Sequence, residues 1–260
     1  MTEFVDPYLD PDTGILRNKV GASTQSELDS REAELTAFAA VELSARPIKV
    51  TADLRQLMAI HGRLFQDVYS WAGKLRQVDM RKGNDLRAEF FMPVSRLESG
   101  AGFAFQELAD DKMLAGPGGA ALNQDAFVRK LAHHYDQVNY LHPFREGNGR
   151  TQRIFWCQIA GKAGYELDWR KTTGQEVNQA SRDARQRQDL DGIRKLFTAI
   201  TTPQNGVPTT TLEKASRLEP AVNLEARYTQ FPELRSVEVA RLELDKPETS
   251  KVDTDTEYQP

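Results

Sequence analysis

The residues best suited to chemistry lie in one short run, 142–153, which reads His-Pro-Phe-Arg-Glu-Gly-Asn-Gly-Arg-Thr-Gln-Arg. Gly147 and Gly149 can adopt backbone angles that other residues avoid, and they let a ligand approach the main chain. If a helix begins here, its first amides have no partner within the helix and attract phosphate. Arg150 and Arg153 are three positions apart, which predicts that both guanidinium groups lie on one side of the first turn. The run therefore predicts a phosphate site.

Two further side chains of this run, Glu146 and His142, indicate what the site would do. A carboxylate beside a phosphate is explained if a cation lies between them, and Mg²⁺ is commonly bound by one carboxylate together with nucleotide phosphates. His142 is the group of the run that titrates near neutral pH, so it is suited to accept a proton. The residues predict a metal-bound nucleotide with a histidine base at its edge.

Two predicted helices flank the run and must position it. Apolar residues recur at helical spacing over residues 123–141. Pro143 disfavours helix in the residue before it, so we expect this first helix to stop near His142. The second helix is expected over about 149–163, with Asn148 as its cap.

The run resembles the motif of the Fic family ("filamentation induced by cAMP"), H-x-F-x-[D/E]-G-N-G-R-x-x-R, and it fills every specified position. The resemblance implies a mainly α fold, a Fic-type helical bundle with a short β-hairpin flap. It also implies transfer of AMP from ATP to a Ser, Thr or Tyr hydroxyl of a target protein, or of the enzyme itself, with Mg²⁺ as cofactor. His142 would be the catalytic base and Glu146 the metal ligand. The nucleotide would be bound by the following residues of the motif, Gly147, Asn148, Gly149, Arg150 and Arg153.

A second segment, residues 75–92, is predicted to form a hairpin in a chain that is otherwise helical. Residues 75–80 alternate as in a short strand, and residues 88–92 are predicted as the return strand. The hairpin is either a brace on the core or a flap whose exposed edge binds an extended segment of the target. Fic proteins carry a flap at the corresponding place, and this resemblance implies that Lys82 and Gly83 lie near the nucleotide.

The chain is predicted to divide into three parts around this motif. Residues 1–50 form an irregular arm and a first helix, which Thr24 and Glu27 begin as a capping box. Residues 51–203 form the Fic core with the flap and the active loop, 142–153. Residues 204–260 are a charged C-terminal extension that we expect to be partly mobile.

The composition excludes several classes of protein. Charged residues make up 28% of the chain and the hydrophobic set 39%, which is typical of a globular protein with a core and too polar for a membrane protein. The net charge of −4 argues against a nucleic-acid partner. No signal-like segment opens the sequence and no apolar run reaches membrane-spanning length, so we expect no membrane partner and a cytoplasmic location.

Several other reactive side chains are given structural roles. Cys157 is the single cysteine, which excludes an internal disulfide, and its place on an apolar helix favours a packed thiol over a nucleophile. His61 lies within a predicted helix and is assigned no catalytic task. His133 and His134 are adjacent, so they cannot face the same way on a helix, and a zinc site is disfavoured.

Control of the activity is a further expectation. Many Fic proteins carry an inhibitory helix with the pattern [S/T]-x-x-x-E-[G/N], but the only Glu-Gly of this sequence is Glu146-Gly147 and it has no Glu-Asn. We therefore expect either a separate small antitoxin-like inhibitor or control by other means. Two alternatives remain open: a Fic-fold transferase of another phosphate-containing group, and the toxin component of a toxin–antitoxin pair.

Overall fold

Helices form most of the regular structure in the computed structural model of this chain, which describes residues 6–81, 89–111, 122–204 and 211–218. All of these residues belong to one unit, residues 1–221. In chain order the described elements are α1 (Gln25–Ala45), α2 (Leu54–Phe65), α3 (Val94–Asp110), α4 (Gln124–Leu141), α5 (Asn148–Ala163), β1 (Tyr165–Leu167), α6 (Gly174–Arg187), α7 (Asp191–Ile200), β2 (Thr201–Pro203) and α8 (Thr211–Ser216). The predicted helical architecture is confirmed.

Local signals set the ends of several helices as expected. Thr24 and Glu27 form the predicted capping box at the start of α1. The Asn123 side chain accepts from the amide of Ala126 at 2.9 Å and begins α4. Gly164, with a φ of 87°, ends α5. Asn123 sets the start of α4 and Gly164 sets the end of α5, and these are the two helices that position the active loop.

The core is centred on α4 and α5. In helix α5 the side chains of Phe155, Trp156 and Ile159 are fully buried. This helix packs against α2 and α4, while α3 and α7 cover other faces of α4. Burying a side chain of this size contributes about 1.5–3 kcal/mol, so the two helices are held firmly by the elements around them.

A two-stranded antiparallel sheet is the main departure from the expected elements. The sequence pattern predicts no strand in residues 165–167 or 201–203, but β1 pairs with β2 in the register Tyr165↔Pro203 and Leu167↔Thr201. The pairing depends on contacts between segments far apart in the chain, which local composition does not reveal.

The described part of the predicted hairpin is less regular than expected. Residues 75–80 form no strand, and the described residues of the hairpin, 75–81 and 89–92, are joined by one isolated antiparallel bridge, between Arg81 and Phe90. Residues 82–88 lie outside the described part of the chain. We call residues 75–81 and 89–92 the flap root; its two segments meet where the prediction placed a hairpin, but the strand prediction for 75–80 is wrong.

The two ends of the described chain pack on the helical body. In the N-terminal arm Tyr8 and Ile15 are buried in the core, and Leu9 bridges Leu16. At the other end α8 packs against α1 and buries Ala215. The rest of the predicted 204–260 extension beyond Leu218 lies outside the described residues, and the domain boundaries stay predictions.

No helix of the described residues combines the length and the apolar character that crossing a membrane demands.

Candidate active site

His142 ends α4 in an uncommon backbone conformation. It is the C-cap of that helix with φ 44° and ψ 60°, the left-handed region, which a residue with a Cβ adopts at a cost of about 1–2 kcal/mol. Pro143 follows and prevents the helix from continuing, as predicted. The imidazole is half-buried and lies flat on Phe91 of the flap root, with ring centroids 3.7 Å apart and an interplanar angle of 9°. The backbone turn thus presents the histidine toward the flap root.

Asn148 closes the active loop on itself. Its Oδ1 accepts from the amide of Phe144 at 2.9 Å, and its Nδ2 donates to the Phe144 carbonyl at 2.7 Å. The side chain is 4% exposed, so these bonds form in a buried setting. Helix α5 begins at Asn148 as expected, but the prediction that Asn148 caps it is wrong: the cap is Gly147, with no side-chain bond. Asn148 instead fixes the bend that carries the other residues.

Gly147 must be glycine for two physical reasons. Its φ is 78°, in the left-handed region. A Cβ at this position would also lie 2.2 Å from Cζ of Phe65 on α2. The loop therefore rests directly on a buried aromatic ring, which holds the start of α5 at a fixed height above the core.

The start of α5 has the properties of an anion site. The amides of its first turn, beginning at Asn148, have no partner within the helix and carry its partial positive charge. Gly149 is exposed, and a Cβ added there would lie 3.8 Å from Nη1 of Arg153. Arg153 is also close enough to Tyr135 that its positive charge opposes the burial that raises the pKa of Tyr135 to about 12. Amides and a guanidinium group thus converge at the same end of the helix.

Arg150 is held by side chains of α1 and α2. Its guanidinium group pairs with the buried Glu32 of α1, lies 3.4 Å from the Thr36 hydroxyl, and stands 4.8 Å above the Phe65 ring. Glu32 in turn accepts from the hydroxyl of Tyr69. The sequence did not reveal this pairing with a buried carboxylate on α1, and the placing of Arg150 and Arg153 on one side of the first turn stays a prediction.

Glu146 has the features of a metal ligand that acts together with a nucleotide. Its side chain is 45% exposed, one oxygen accepts from the amide of Gly147 at 2.8 Å, and Arg150 lies 3.5 Å away. The described residues contain no group of three or more His, Cys, Asp or Glu able to hold a metal by itself. A single accessible carboxylate beside a phosphate site matches the way Mg²⁺ binds with nucleotides.

His61 of α2 supports the loop from below, a role the sequence did not reveal. Its Nδ1 accepts from the amide of Gly73 at 2.7 Å, so the proton must be on Nε2, which donates to the Glu146 carbonyl at 3.1 Å. The ring is fully buried and stacks on Phe144 with centroids 3.9 Å apart. Burial lowers the pKa of His61 to about 3, so it is neutral at physiological pH. It is structural, as expected, but it positions the residue predicted to bind the metal.

Two predicted nucleotide-binding residues, Lys82 and Gly83, lie outside the described residues. Arg145, the variable motif position, pairs with Asp6 of the N-terminal arm at 3.0 Å and so ties the arm to the active loop.

The remaining reactive side chains keep structural roles. Burial raises the pKa of the Cys157 thiol to about 12, which keeps it protonated at neutral pH. His133 and His134 bond to different carboxylates, those of Glu107 and Asp111, at 2.9 and 2.8 Å. These separate pairs argue against a shared zinc ion, in agreement with the prediction.

Comparison with known proteins places the same segment in a family. Residues 51–160 match the profile of the Fic/DOC family. The chain is 39% identical over 176 residues to the protein adenylyltransferase VbhT of Bartonella schoenbuchensis, an alignment that covers 68% of this chain and 35% of that relative. It is 35% identical over 195 residues to a probable protein adenylyltransferase Fic of Escherichia coli, covering 75% of this chain and 92% of the relative. It thus spans about a third of the first relative and nearly all of the second.

Solved structures share the fold. The N-terminal Fic domain of a putative cell filamentation protein from Bartonella quintana, with bound ADP, has a TM-score of 0.68 and 29% identity, covering 76% of this chain and 95% of that one. BepC from Bartonella tribocorum, with bound AMPPNP, also has a TM-score of 0.68, at 25% identity, and covers 76% of this chain and 97% of its own.

Proposed function

Because this chain belongs to the Fic/DOC family, we propose that it is a protein adenylyltransferase, which transfers AMP from ATP to a Ser, Thr or Tyr hydroxyl of a target protein. The relatives at 35–39% identity are named protein adenylyltransferases, and two structural neighbours hold ADP and AMPPNP. One observation carries the proposal: Arg153 and the exposed Gly149 meet at the start of α5, on the loop that bears His142.

The phosphates of ATP would bind at this helix start. The amides that follow Gly147 would bind phosphate oxygens, because they have no partner within the helix. Arg153 would bind the terminal phosphates through its guanidinium fork. Arg150 would act differently, since Glu32 holds it against α1: it would brace the loop, and its charge would add to the potential of the site. Asn148 would hold the bend, since Phe144 occupies both of its polar atoms.

Mg²⁺ would be bound by Glu146 together with phosphate oxygens. The ion supplies charge neutralisation for the phosphates when bound. The Glu146 side chain is exposed, so an ion could reach its carboxylate. The hydrogen bond from His61 to the Glu146 carbonyl holds the backbone from which that carboxylate extends.

The chemical step would be in-line attack of the target hydroxyl on the α-phosphorus. A new bond forms between the hydroxyl oxygen and the α-phosphorus, and the bond between the α-phosphorus and the bridging oxygen of pyrophosphate breaks. His142 accepts the hydroxyl proton as the attack proceeds. Pyrophosphate leaves, and the AMP group remains on the target.

The partners and setting follow from the same proposal. An extended target segment would bind along the flap, where Arg81 and Phe90 already form an antiparallel bridge. A small antitoxin-like protein that supplies an inhibitory glutamate, a cytoplasmic location and self-modification stay predictions from the sequence.

The experiment that tests this function compares two labels. A lysate is incubated with the protein and with ATP that carries ³²P at either the α- or the γ-phosphate. Compared with the same lysate without the protein, added label from the α position and no added label from the γ position is expected; added γ-label would instead indicate a kinase and contradict the proposal.

His142→Ala tests the base. We expect α-label transfer to fall by about 10²–10⁴-fold, the usual contribution of a general base, with ATP affinity within about twofold of wild type because the phosphate amides are untouched. His133→Ala is the matched control, since this half-exposed histidine pairs with Glu107 on α3. An unchanged rate in His142→Ala would remove the proposed role.

A further inference from the structure

Arg76 is the most completely buried charged side chain near the active loop, and the proposed function gives it no task. Its side chain is 0% exposed. Burial lowers the pKa of its guanidinium group, and Asp79, 3.9 Å from Nη1, opposes that shift. Burying an arginine is destabilising unless its N–H groups form hydrogen bonds, so the contacts of Arg76 indicate what stabilises it there.

Those contacts divide between two segments. On the active-loop side, Nε donates to the His142 carbonyl at 2.8 Å, and Nη2 lies 3.3 Å from the Leu141 carbonyl. The backbone amide of Arg76 donates to the Pro143 carbonyl at 2.9 Å. On the flap side, Nη1 donates to the Val78 carbonyl at 2.7 Å, and Nη2 donates to the carbonyl of Met92. One side chain therefore joins the end of α4 to both segments of the flap root.

The two segments that Arg76 joins are those that carry the His142–Phe91 stack. Its bond to the His142 carbonyl helps hold that residue in the left-handed conformation. Phe91 lies next to Met92, and the amide of Met92 donates to the Tyr140 carbonyl at 3.0 Å. A cation is also favoured at the end of α4, where unpaired carbonyls carry partial negative charge. The two segments of the flap root are paired with each other by one isolated bridge, between Arg81 and Phe90.

We propose that Arg76 is a positioning residue that sets the register between the flap and His142, so that a hydroxyl presented by the flap meets the imidazole. This inference rests on the proposed function. The hydrogen bonds of Arg76 go to the end of α4, to the start of the active loop and to the flap root, and none of these goes to the first amides of α5. Arg76 therefore acts on the delivery of the hydroxyl and leaves nucleotide binding intact.

Arg76→Lys tests the inference, because lysine keeps the charge and loses the fork that reaches four carbonyls. We expect kcat for target labelling to fall by about 10²-fold, the cost of displacing reacting groups by about 1 Å. The Kd for AMPPNP should stay within about twofold of wild type. Arg217→Lys is the matched control, because this arginine pairs with Glu166 on β1 and has no bond to the loop or the flap root among those described; its kcat should stay within about twofold.

Phe91→Leu provides a second variant that does not disturb a buried charge. Phe91 is only half-buried, so this protein should fold, and it should show the same pattern of lower kcat with unchanged AMPPNP affinity. Labelling by Arg76→Lys at the wild-type rate would overturn the inference. So would an equal loss of labelling and AMPPNP affinity, since that pattern would mean collapse of the whole loop.

NMR of the His142 ring separates this inference from the proposed function. The ring protons lie on Phe91 and should carry a ring-current shift, which Arg76→Lys should reduce. If wild-type protein transfers no AMP at all, the proposed function fails, and the NMR result alone decides whether Arg76 sets the register. An unchanged His142 spectrum in Arg76→Lys would overturn it.

Discussion

The active loop and the flap root lie side by side, yet different kinds of contact hold them. The active loop is stabilised largely by its own residues: Asn148 bonds to Phe144 four positions earlier, and Gly147 forms the turn. The flap root has one isolated bridge between its two segments, and its two described bonds to the loop both come from Arg76, through the side chain to the His142 carbonyl and through the backbone amide to the Pro143 carbonyl. Local rules can therefore specify the loop, whereas the flap depends on a long-range contact. The predictions below test that contrast.

The largest effect is expected from Gly147→Ala in the active loop. Alanine would have to adopt the left-handed conformation of Gly147, which costs about 1–2 kcal/mol. Its Cβ would also overlap the Phe65 ring, which costs about 1–3 kcal/mol. The free energy of unfolding should therefore fall by about 2–5 kcal/mol. Denaturant unfolding measures this. Gly149→Ala is the matched control for stability, because its Cβ would meet only Arg153 Nη1 at 3.8 Å. Equal stability of the two variants would show that the loop adapts and does not depend on this turn.

A second test in the loop removes its internal clamp. Asn148→Ala leaves the buried amide and carbonyl of Phe144 without their side-chain partner, which should cost about 1–3 kcal/mol of unfolding free energy. Asn148→Asp keeps the acceptor for the Phe144 amide but places a carboxylate beside the Phe144 carbonyl, so it should also weaken AMPPNP binding. If Asn148→Ala unfolds at the wild-type denaturant midpoint, the loop is held from outside, like the flap root.

The contrast also explains how far the sequence alone could predict this protein. The motif predicted the loop, the end of α4 near His142 and the chemistry, because each depends on residues a few positions apart. Nothing in the sequence signals the contacts that depend on a distant group, such as the pairing of Arg150 with Glu32 on α1.

The supporting residues show the same limit. Only the fold reveals that His61 bonds to the Glu146 carbonyl and that Arg76 joins the flap root to α4. An arginine in a short polar segment, and one histidine within an apolar helix, carry no sequence signal that distinguishes them from surface or core residues.

The third prediction is that the stability of the fold depends on pH through His61, the buried histidine beneath the active loop. The pKa of His61 is lowered to about 3 in the folded protein, against about 6.5 unfolded. Between these values the unfolded chain binds more protons, so stability is complete above about pH 6.5 and falls as the pH is lowered, by up to about 1.4 kcal/mol per pH unit. The measurement is the unfolding free energy at pH 7 and at pH 5.

His61→Gln isolates this contribution from that of the carboxylates. The variant should be less stable than wild type at pH 7, because glutamine cannot reproduce both the Gly73 and the Glu146 bonds. It should then lose less stability than wild type between pH 7 and pH 5. The same loss in both proteins would mean that His61 is not buried in its neutral form.

The smallest effect is expected at the flap root, from Asp79. Its carboxylate accepts from the amide of Val94 at 2.7 Å, at the start of α3, and is 58% exposed. Asp79→Ala should therefore lower the unfolding free energy by about 0.5–1 kcal/mol, as for an exposed helix cap. Asp79→Asn keeps the acceptor and loses only the charge near Arg76, so it should lose less. Equal losses would assign the effect to the Arg76 charge, and would mean that Arg76 requires a counterion to hold the flap root beside His142.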